Sequence, residues 1–334
     1  MSRYSHSSGP SRPGRPQTKA ALKLQLRLPA PMASDFTELS QVPHQVQGPP
    51  DIHSASPVPD AAAAGQNPSV CSIVLAIPAR LESSRLPGKL IADIHGKPMV
   101  RHVLDRCAQA QSATAIRLCT DSPTLAEQAS QWGFTAVMTS PHCSSGSDRL
   151  ASVVSELIAA GGRPAADTLI LNVQGDQPCL DPALIDAIAA AFAARDPRPD
   201  VLTPVYPLSA DKLHNPNVVK VLRAADGRAL YFSRSALPHV RDADPTAWCD
   251  HTTYWGHVGI YAYRADVLMR WLQLPASPLE HLEKLEQLRL IEAGIRIDTL
   301  DVSGDILSVD TPEQLEQARA LMRHDDGHQQ QAQL

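Results

Sequence analysis

Residues 77–89 read IPARLESSRLPGK, which places Arg80, Arg85 and Lys89 on one polar stretch directly after an apolar run at 73–77. Only 19% of the chain is charged, so three cations within ten residues are a local concentration. Cationic side chains on a loop that follows a strand can surround a polyphosphate, with Gly88 allowing close approach of the backbone. A solvated basic loop would have the same composition, so the stretch does not decide alone. Two aspartates supply the complement: Asp176 in NVQGDQP (172–178) and Asp310 in SVDTPEQLEQA (308–318). Each follows an apolar run expected to be a strand. A carboxylate there can hold Mg²⁺ while phosphate oxygens share its shell. Capping a turn is the plainer role open to Asp176. Thr311 can cap the helix expected after it, which leaves Asp310 to face a cleft. Two carboxylates at the carboxyl edge of a sheet, opposite a cationic loop, suit metal-assisted attack on a phosphate.

Those residues need elements to hold them. From Ser72 onward, short β-branched runs alternate with helical periodicity. SIVLAIP reads as a buried strand. PMVRHVLDRCAQA puts Met99, Val100, Val103, Leu104 and Cys107 on one helical face. There follow strand AIRLCTD, helix TLAEQASQWG with Gly133 at its C-terminus, strand TAVMTS, a polar loop, helix SDRLASVVSELIAAGG, strand TLILNVQGD and helix PALIDAIAAAFAA. The alternation predicts an α/β fold with a mostly parallel central sheet covered by helices on both faces. The second half departs from it. NVVKVLRAADGRALYFSR predicts two strands joined at Asp226-Gly227, and YWGHVGIYAY one more, so an inserted antiparallel lobe is expected. SPLEHLEKLEQLRLIEAG predicts one helix, opened by Ser277, Pro278 and Glu280, with Leu279, Leu282, Leu285 and Leu288 as its buried stripe. Strand RIDTLDV, a short strand ILSVD and a helix opened by Thr311 and Pro312 complete the chain.

Taken together, IPARLESSRLPGK, SSGSDR, NVQGDQP, NPNVVKV, YFSR, HVGIYAY, SPLEHLEKLEQLR and VDTPEQLE occur in the order and spacing of the 3-deoxy-manno-octulosonate cytidylyltransferases, the CMP-KDO synthetases. The resemblance runs from about Ser72 to Met322. It implies a Rossmann-like, glycosyltransferase-A-type nucleotidyltransferase fold, CTP and an eight-carbon sugar acid as substrates, Mg²⁺ as cofactor, and a homodimer. By the same resemblance Arg80, Arg85 and Lys89 look like the triphosphate clamp, and Ser145, Gly146 and Arg149 match the segment that meets the nucleotide. Asp176 and Asp310 resemble the metal-binding aspartates. Gln174, Arg234, His257, Tyr261, Glu286 and Gln287 occupy the places that line the sugar-acid pocket; a cation at 234 and an imidazole at 257 suit a carboxylate chemically. His257 and Tyr261 could also be an ordinary polar strand face, and Glu286 a helix-surface charge. One position departs from the family: Gln177 stands where Glu is usual, removing a negative charge beside the expected Mg²⁺.

Composition bounds the alternatives. The 334 residues carry a net charge of −5, which gives no global attraction to nucleic acid or an anionic membrane. No apolar run approaches the roughly 20 residues of a membrane helix. The six cysteines stand singly, as reduced thiols of a cytoplasmic protein do, and Trp248, Cys249 and His251 fit no zinc spacing. Asp242 and Asp244 form a chance D-x-D in a Pro- and Ala-rich loop. Residues 1–69 are poor in aromatic and β-branched types and are expected to be a disordered tail; organelle transit is the lesser explanation of their basic character. Residues 70–325 are expected to form one domain, with a second short tail at 326–334. Two rivals stay open: a cytidylyltransferase for another sugar acid such as a sialic acid, whose first loop carries Gly-Gly-Ser-Lys where this chain has residues 81–84, and a non-catalytic sugar-nucleotide-binding module.

Overall fold

A computed structural model describes residues 71–82 and 86–331, with side chains described through residue 323. The expected N-terminal tail, and Arg85, lie outside the described residues. β1 (Ser72–Ala79) is apolar and buried on both faces, as a central parallel strand must be. A two-residue hairpin, β2 (Asp93–Ile94) and β3 (Lys97–Pro98), leads into α1 (Met99–Cys107). β4 (Ala115–Thr120), α2 (Pro123–Gln131), β5 (Thr135–Met138), α3 (Gly146–Ser152), α4 (Val154–Gly161), β6 (Thr168–Asn172) and α5 (Pro182–Ala193) follow the expected alternation. β5, β4, β1 and β6 lie side by side in that order, all parallel. The chain order therefore reverses between β1 and β6. In open α/β sheets that reversal leaves a crevice at the carboxyl ends of the strands.

The second half adds β7 (Val201–Pro207), α6 (Ala210–Leu213), β8 (Lys220–Arg223), β9 (Ala229–Ser233), β10 (Trp255–His257), β11 (Tyr261–Arg264), α7 (Ala265–Arg270), α8 (Pro278–Glu283), α9 (Gln287–Glu292), β12 (Ile297–Asp301) and α10 (Pro312–Gln331). β11 is antiparallel to both β6 and β7, while β12 runs parallel to β7. The antiparallel strands β8 and β9 join the same ten-stranded sheet through β10. One core lies under each face. Ile73, Leu75 and Ile77 meet α1, α2, α5 and α10, whereas Val74 and Ala76 point to α3, α4, α7 and α9. This two-sided burial is the period-2 alternation of a strand wrapped by helices.

Several elements differ from the sequence-based expectation. β7 carries Pro204 and Pro207, which disfavour an interior strand. The sheet accommodates Pro204 because residues 258–260, opposite it, form a bulge between β10 and β11. The helix expected over 147–162 is interrupted at Val153, just after Ser152 donates its hydroxyl to the Arg149 carbonyl at 2.7 Å, a back-bond that bends helices. The helix expected over 278–294 also divides, at Lys284, which adopts a left-handed φ of 56°. Arg234 Nε takes the Glu283 carbonyl at 2.7 Å, so that group is satisfied outside the helix. The leucine stripe is split accordingly: Leu285 and Leu288 are buried, but Leu282 is 79% exposed. ILSVD is not a strand; among the described residues it is tied by Val309 N–H to the Asp176 carbonyl at 2.9 Å. α10 continues past residue 325, beyond the domain end expected from composition.

Candidate active site

The crevice between β1 and β6 opens into a cavity of about 380 Å³. Its floor is the carboxyl end of β1 at Pro78 and Ala79 and the turn after β6 at Gln174, Gly175 and Asp176. Gly175 sits close against the floor: a Cβ there would lie 3.3 Å from Leu90 and 3.4 Å from the Pro78 carbonyl, so the leucine side chain would have to shift slightly. Gly88, at φ 69°, adopts the left-handed turn that starts the helical turn 89–91 and aims Lys89 inward.

Lys89 is the electrostatic centre of the site. Its Nζ donates to Asp176 Oδ2 at 2.5 Å and to Asp310 Oδ1 at 3.0 Å. Burial works to lower the ammonium, but the two carboxylates outweigh it and raise it above the ordinary lysine value. Thr311 Oγ1 accepts from the Gln314 N–H at 3.3 Å, so the cap of α10 comes from Thr311 while the Asp310 carboxylate faces Lys89. Two carboxylates thus converge on one cation from opposite ends of the sequence. That donor set suits Mg²⁺, which takes one or two carboxylates and leaves the remaining positions to phosphate oxygens and water. No group of three or more His, Cys, Asp or Glu that could enclose a metal occurs among the described residues. Gln177 is 2% exposed; its Nε2 donates to Ser308 Oγ at 3.2 Å and its Oε1 has no partner. It clasps the segment before Asp310 to the Asp176 turn without adding charge.

The opposite wall is the start of α3. Ser145 caps it by accepting from the Asp148 N–H at 3.1 Å, and the Gly146 and Ser147 N–H groups donate to the Glu286 carboxylate at 3.3 and 3.0 Å. Arg80, Lys89, Asp176 and Asp310 therefore share one cavity with Ser145, Gly146, Arg149, Gln174 and Glu286. Arg149 is nearly buried and already held by Asp121 Oδ2 at 2.9 Å and by Thr139. Asp121 was not expected, although it directly follows β4, as a carboxylate at the end of a strand. Cys143 and Ser144 also line the cavity, and nothing in their types announced it.

Arg234, His257, Tyr261 and Gln287 stand outside this lining. Arg234 spends its guanidinium on the carbonyls of Glu283 at 2.7 Å, Pro216 at 3.0 Å and Lys284 at 3.5 Å, fixing the α8–α9 junction from which Glu286 projects. Lys220, wholly buried on β8, supports the same region through the carbonyls of Asn215 at 2.9 Å, Val218 at 2.7 Å and Arg234. Tyr261 stacks on Tyr263 at 5.8 Å and faces the His257 ring at 5.2 Å. Burial raises the Tyr261 hydroxyl well above the ordinary tyrosine value, with Tyr263 and Glu286 adding to it. Gln287 is 2% exposed, and its Nε2 has no hydrogen-bond partner. These residues form a layer behind Glu286, on the sheet face that carries α3 and α9.

A cationic and carboxylate-lined crevice of about 380 Å³ at the switch point of a mixed sheet defines a nucleotide-handling α/β protein. The family profile described as Cytidylyltransferase matches residues 74–297. A relative from Myxococcus xanthus, named 3-deoxy-manno-octulosonate cytidylyltransferase, is 43% identical over 253 residues, covering 76% of this chain and 97% of its own length. One of the same name from Chlorobaculum tepidum is 40% identical, covering 75% and 97%. The solved structure of CMP:2-keto-3-deoxy-manno-octonic acid synthetase complexed with CTP is similar with a TM-score of 0.68 and 39% identity, over 76% of this chain and 99% of that one. The chain belongs to the cytidylyltransferases and, among them, to the 3-deoxy-manno-octulosonate cytidylyltransferase family.

Proposed function

We propose that the chain transfers CMP from CTP to 3-deoxy-D-manno-octulosonate, releasing pyrophosphate and supplying an activated sugar for cell-envelope polysaccharide. The acceptor follows from the relatives' names; the observation that carries the chemistry is the convergence of Lys89, Asp176 and Asp310 on one point of the crevice. The sugar's anomeric hydroxyl gives up its proton to solvent, and its oxygen forms a bond to the α-phosphorus of CTP as the bond from that phosphorus to the bridging oxygen breaks. The electron pair leaves with pyrophosphate. Arg80 and Lys89 grip that leaving end, where charge accumulates, and Arg85 belongs with them by sequence. Ser145, Gly146 and Arg149 hold the nucleotide, and Gln174 and Glu286 border the acceptor. Asp176 and Asp310 would hold Mg²⁺, which when bound supplies Lewis-acid charge to the phosphate oxygens. The enzyme works in the cytoplasm as a homodimer, which light scattering on the purified chain tests. Among the described residues no helix is long and apolar enough to cross a membrane.

The test is pyrophosphate release across four nucleoside triphosphates and a panel of sugar acids. Release only with CTP and 3-deoxy-D-manno-octulosonate supports the proposal. A preference for a sialic acid, or no release with any pair, overturns it.

A further inference from the structure

The turn that carries Lys89 runs into β2 and β3, which form a two-stranded sheet of their own, two residues against two. A hairpin of that size is not stable by itself. Side chains hold it residue by residue. Asp93 O accepts from Arg319 Nε at 2.9 Å and from Arg319 Nη2 at 2.6 Å, and Ile94 O meets His102 Nε2 at 2.8 Å. His95 Nε2 lies 2.7 Å from Arg319 O; a carbonyl has no proton, so the ring donates. His95 holds a left-handed φ of 50°, a conformation that costs a histidine energy. Arg319 also reaches Glu316 at 2.5 Å, the i,i+3 pair of an ordinary helix surface, but two of its nitrogens turn to the hairpin. Helix and hairpin are thus tied in both directions, guanidinium to strand carbonyl and ring back to helix carbonyl. Asp310 stands nine residues before Arg319, just ahead of the Thr311 cap, roughly 13 Å away along the helix.

We propose that Arg319 and His95 are positioning residues for Lys89 and Asp310: their clamp keeps segment 89–98 in register with the start of α10 when substrate parts the ion pair. This rests on the function proposed above. Lys89 and Asp310 hold each other at 3.0 Å in the structure. With Lys89 on the triphosphate and Asp310 on Mg²⁺ that bond is exchanged for ligand contacts, so the tie between their segments at the crevice is lost. Asp310 stays fixed against Asp176, because Val309 N–H bonds the Asp176 carbonyl at 2.9 Å and Gln177 bonds Ser308 at 3.2 Å. Neither bond reaches the Lys89 segment. Leu90 and Ile94 share an apolar core with Leu315, Ala318 and Met322 of α10, but apolar contact is non-directional and resists separation better than sliding. The directional bonds of Arg319 and His95 resist sliding. Nothing in the sequence pointed to them: an arginine on a helix after VDTPEQLE reads as a surface charge.

The test is calorimetric titration of CTP into the full chain, with and without Mg²⁺ and in the absence of sugar acid, so that nothing turns over. Mg²⁺ should strengthen CTP binding by the unsubstituted chain, and Arg319→Ala should shrink that gain about tenfold, the scale of one hydrogen bond to a charged group. Arg319→Lys, which keeps a donor for Asp93 O, should recover part of it. His95→Asn probes the return bond: asparagine tolerates the left-handed φ but is too short to reach α10, so the gain should fall while Tm stays within about 2 °C. KM for the sugar acid should stay within about twofold in all three variants, since Gln174 and Glu286 belong to other segments of the cavity wall. A lower Tm with the Mg²⁺ gain intact, or an equal loss of CTP affinity with and without the metal, makes the clamp a structural staple and overturns the proposal. CTP binding by the unsubstituted chain that ignores Mg²⁺ also overturns it, while pyrophosphate release with CTP and the sugar acid leaves the function standing. No CTP binding and no release removes both. Should Arg319→Ala fail to fold, the lysine and asparagine variants still decide.

Discussion

Asp310→Asn separates a metal-holding carboxylate from a structural one. In the structure Lys89 bridges Asp176 at 2.5 Å and Asp310 at 3.0 Å, with side chains 17%, 19% and 29% exposed respectively. A charge-assisted hydrogen bond is worth roughly 1.5–3 kcal/mol, and partial exposure reduces this to about 1 kcal/mol here. Lys89 keeps its shorter contact to Asp176 in the variant, and Thr311 keeps the cap of α10. The expected fall in Tm is therefore small, about 2–4 °C for a domain of this size. Turnover should fall far more, by about 10²–10³-fold, because the variant removes one of the two carboxylates that would hold Mg²⁺ against the developing phosphate charge. Asp176→Asn should lose at least as much activity and somewhat more stability, since it breaks the 2.5 Å contact. The assay pairs thermal midpoints without ligand with turnover across a Mg²⁺ titration. Near-normal turnover of either variant at low Mg²⁺ would remove that residue from the metal site. A Tm drop beyond about 10 °C would make it a structural residue instead.

Arg234→Ala, which frees the carbonyls of Glu283 and Pro216, should loosen the α8–α9 junction and raise KM for the sugar acid by about tenfold while leaving CTP binding within about twofold. Calorimetric titration of each ligand checks this, and equal losses for both would contradict it. Acidification should cost stability through His257: the folded ring, held down to about 3, refuses a proton that the unfolded ring accepts near 6.5. Stability from this group is present above the unfolded value and is lost as pH falls toward 3, by at most about 1.4 kcal/mol per pH unit. Denaturant unfolding of His257→Gln between pH 6.5 and 4 should show the shallower slope, and superimposable slopes would refute the assignment. A chain beginning at Val70 should keep kcat/KM within about tenfold of the full chain, since the relatives match about three quarters of the length; a larger loss would give residues 1–69 a part in the site.

Local signals in the sequence were enough for the sheet's parallel half and for the charged rim of the crevice. β1 and β6 are apolar on both faces, and their neighbours alternate with helices, so periodicity carries them. Lys89, Asp176 and Asp310 were legible because each stands in a polar turn that follows an apolar run in the sequence. What was hidden depends on partners distant in sequence. β7 contradicts strand preference at Pro204 and is permitted by a bulge more than fifty residues later. The break at Lys284 depends on Arg234, whose own composition says only that it is a cation. Asp121 acts through Arg149, a contact that no local pattern encodes.

The central claim is attack on the α-phosphorus of CTP by the sugar acid, and CTP carrying ³²P at that phosphorus follows it most directly. After incubation with 3-deoxy-D-manno-octulosonate and Mg²⁺, all converted label should appear in a CMP-sugar with an equal amount of unlabelled pyrophosphate. Label found in free CMP or CDP, or a product that forms equally without the sugar acid, would contradict the account.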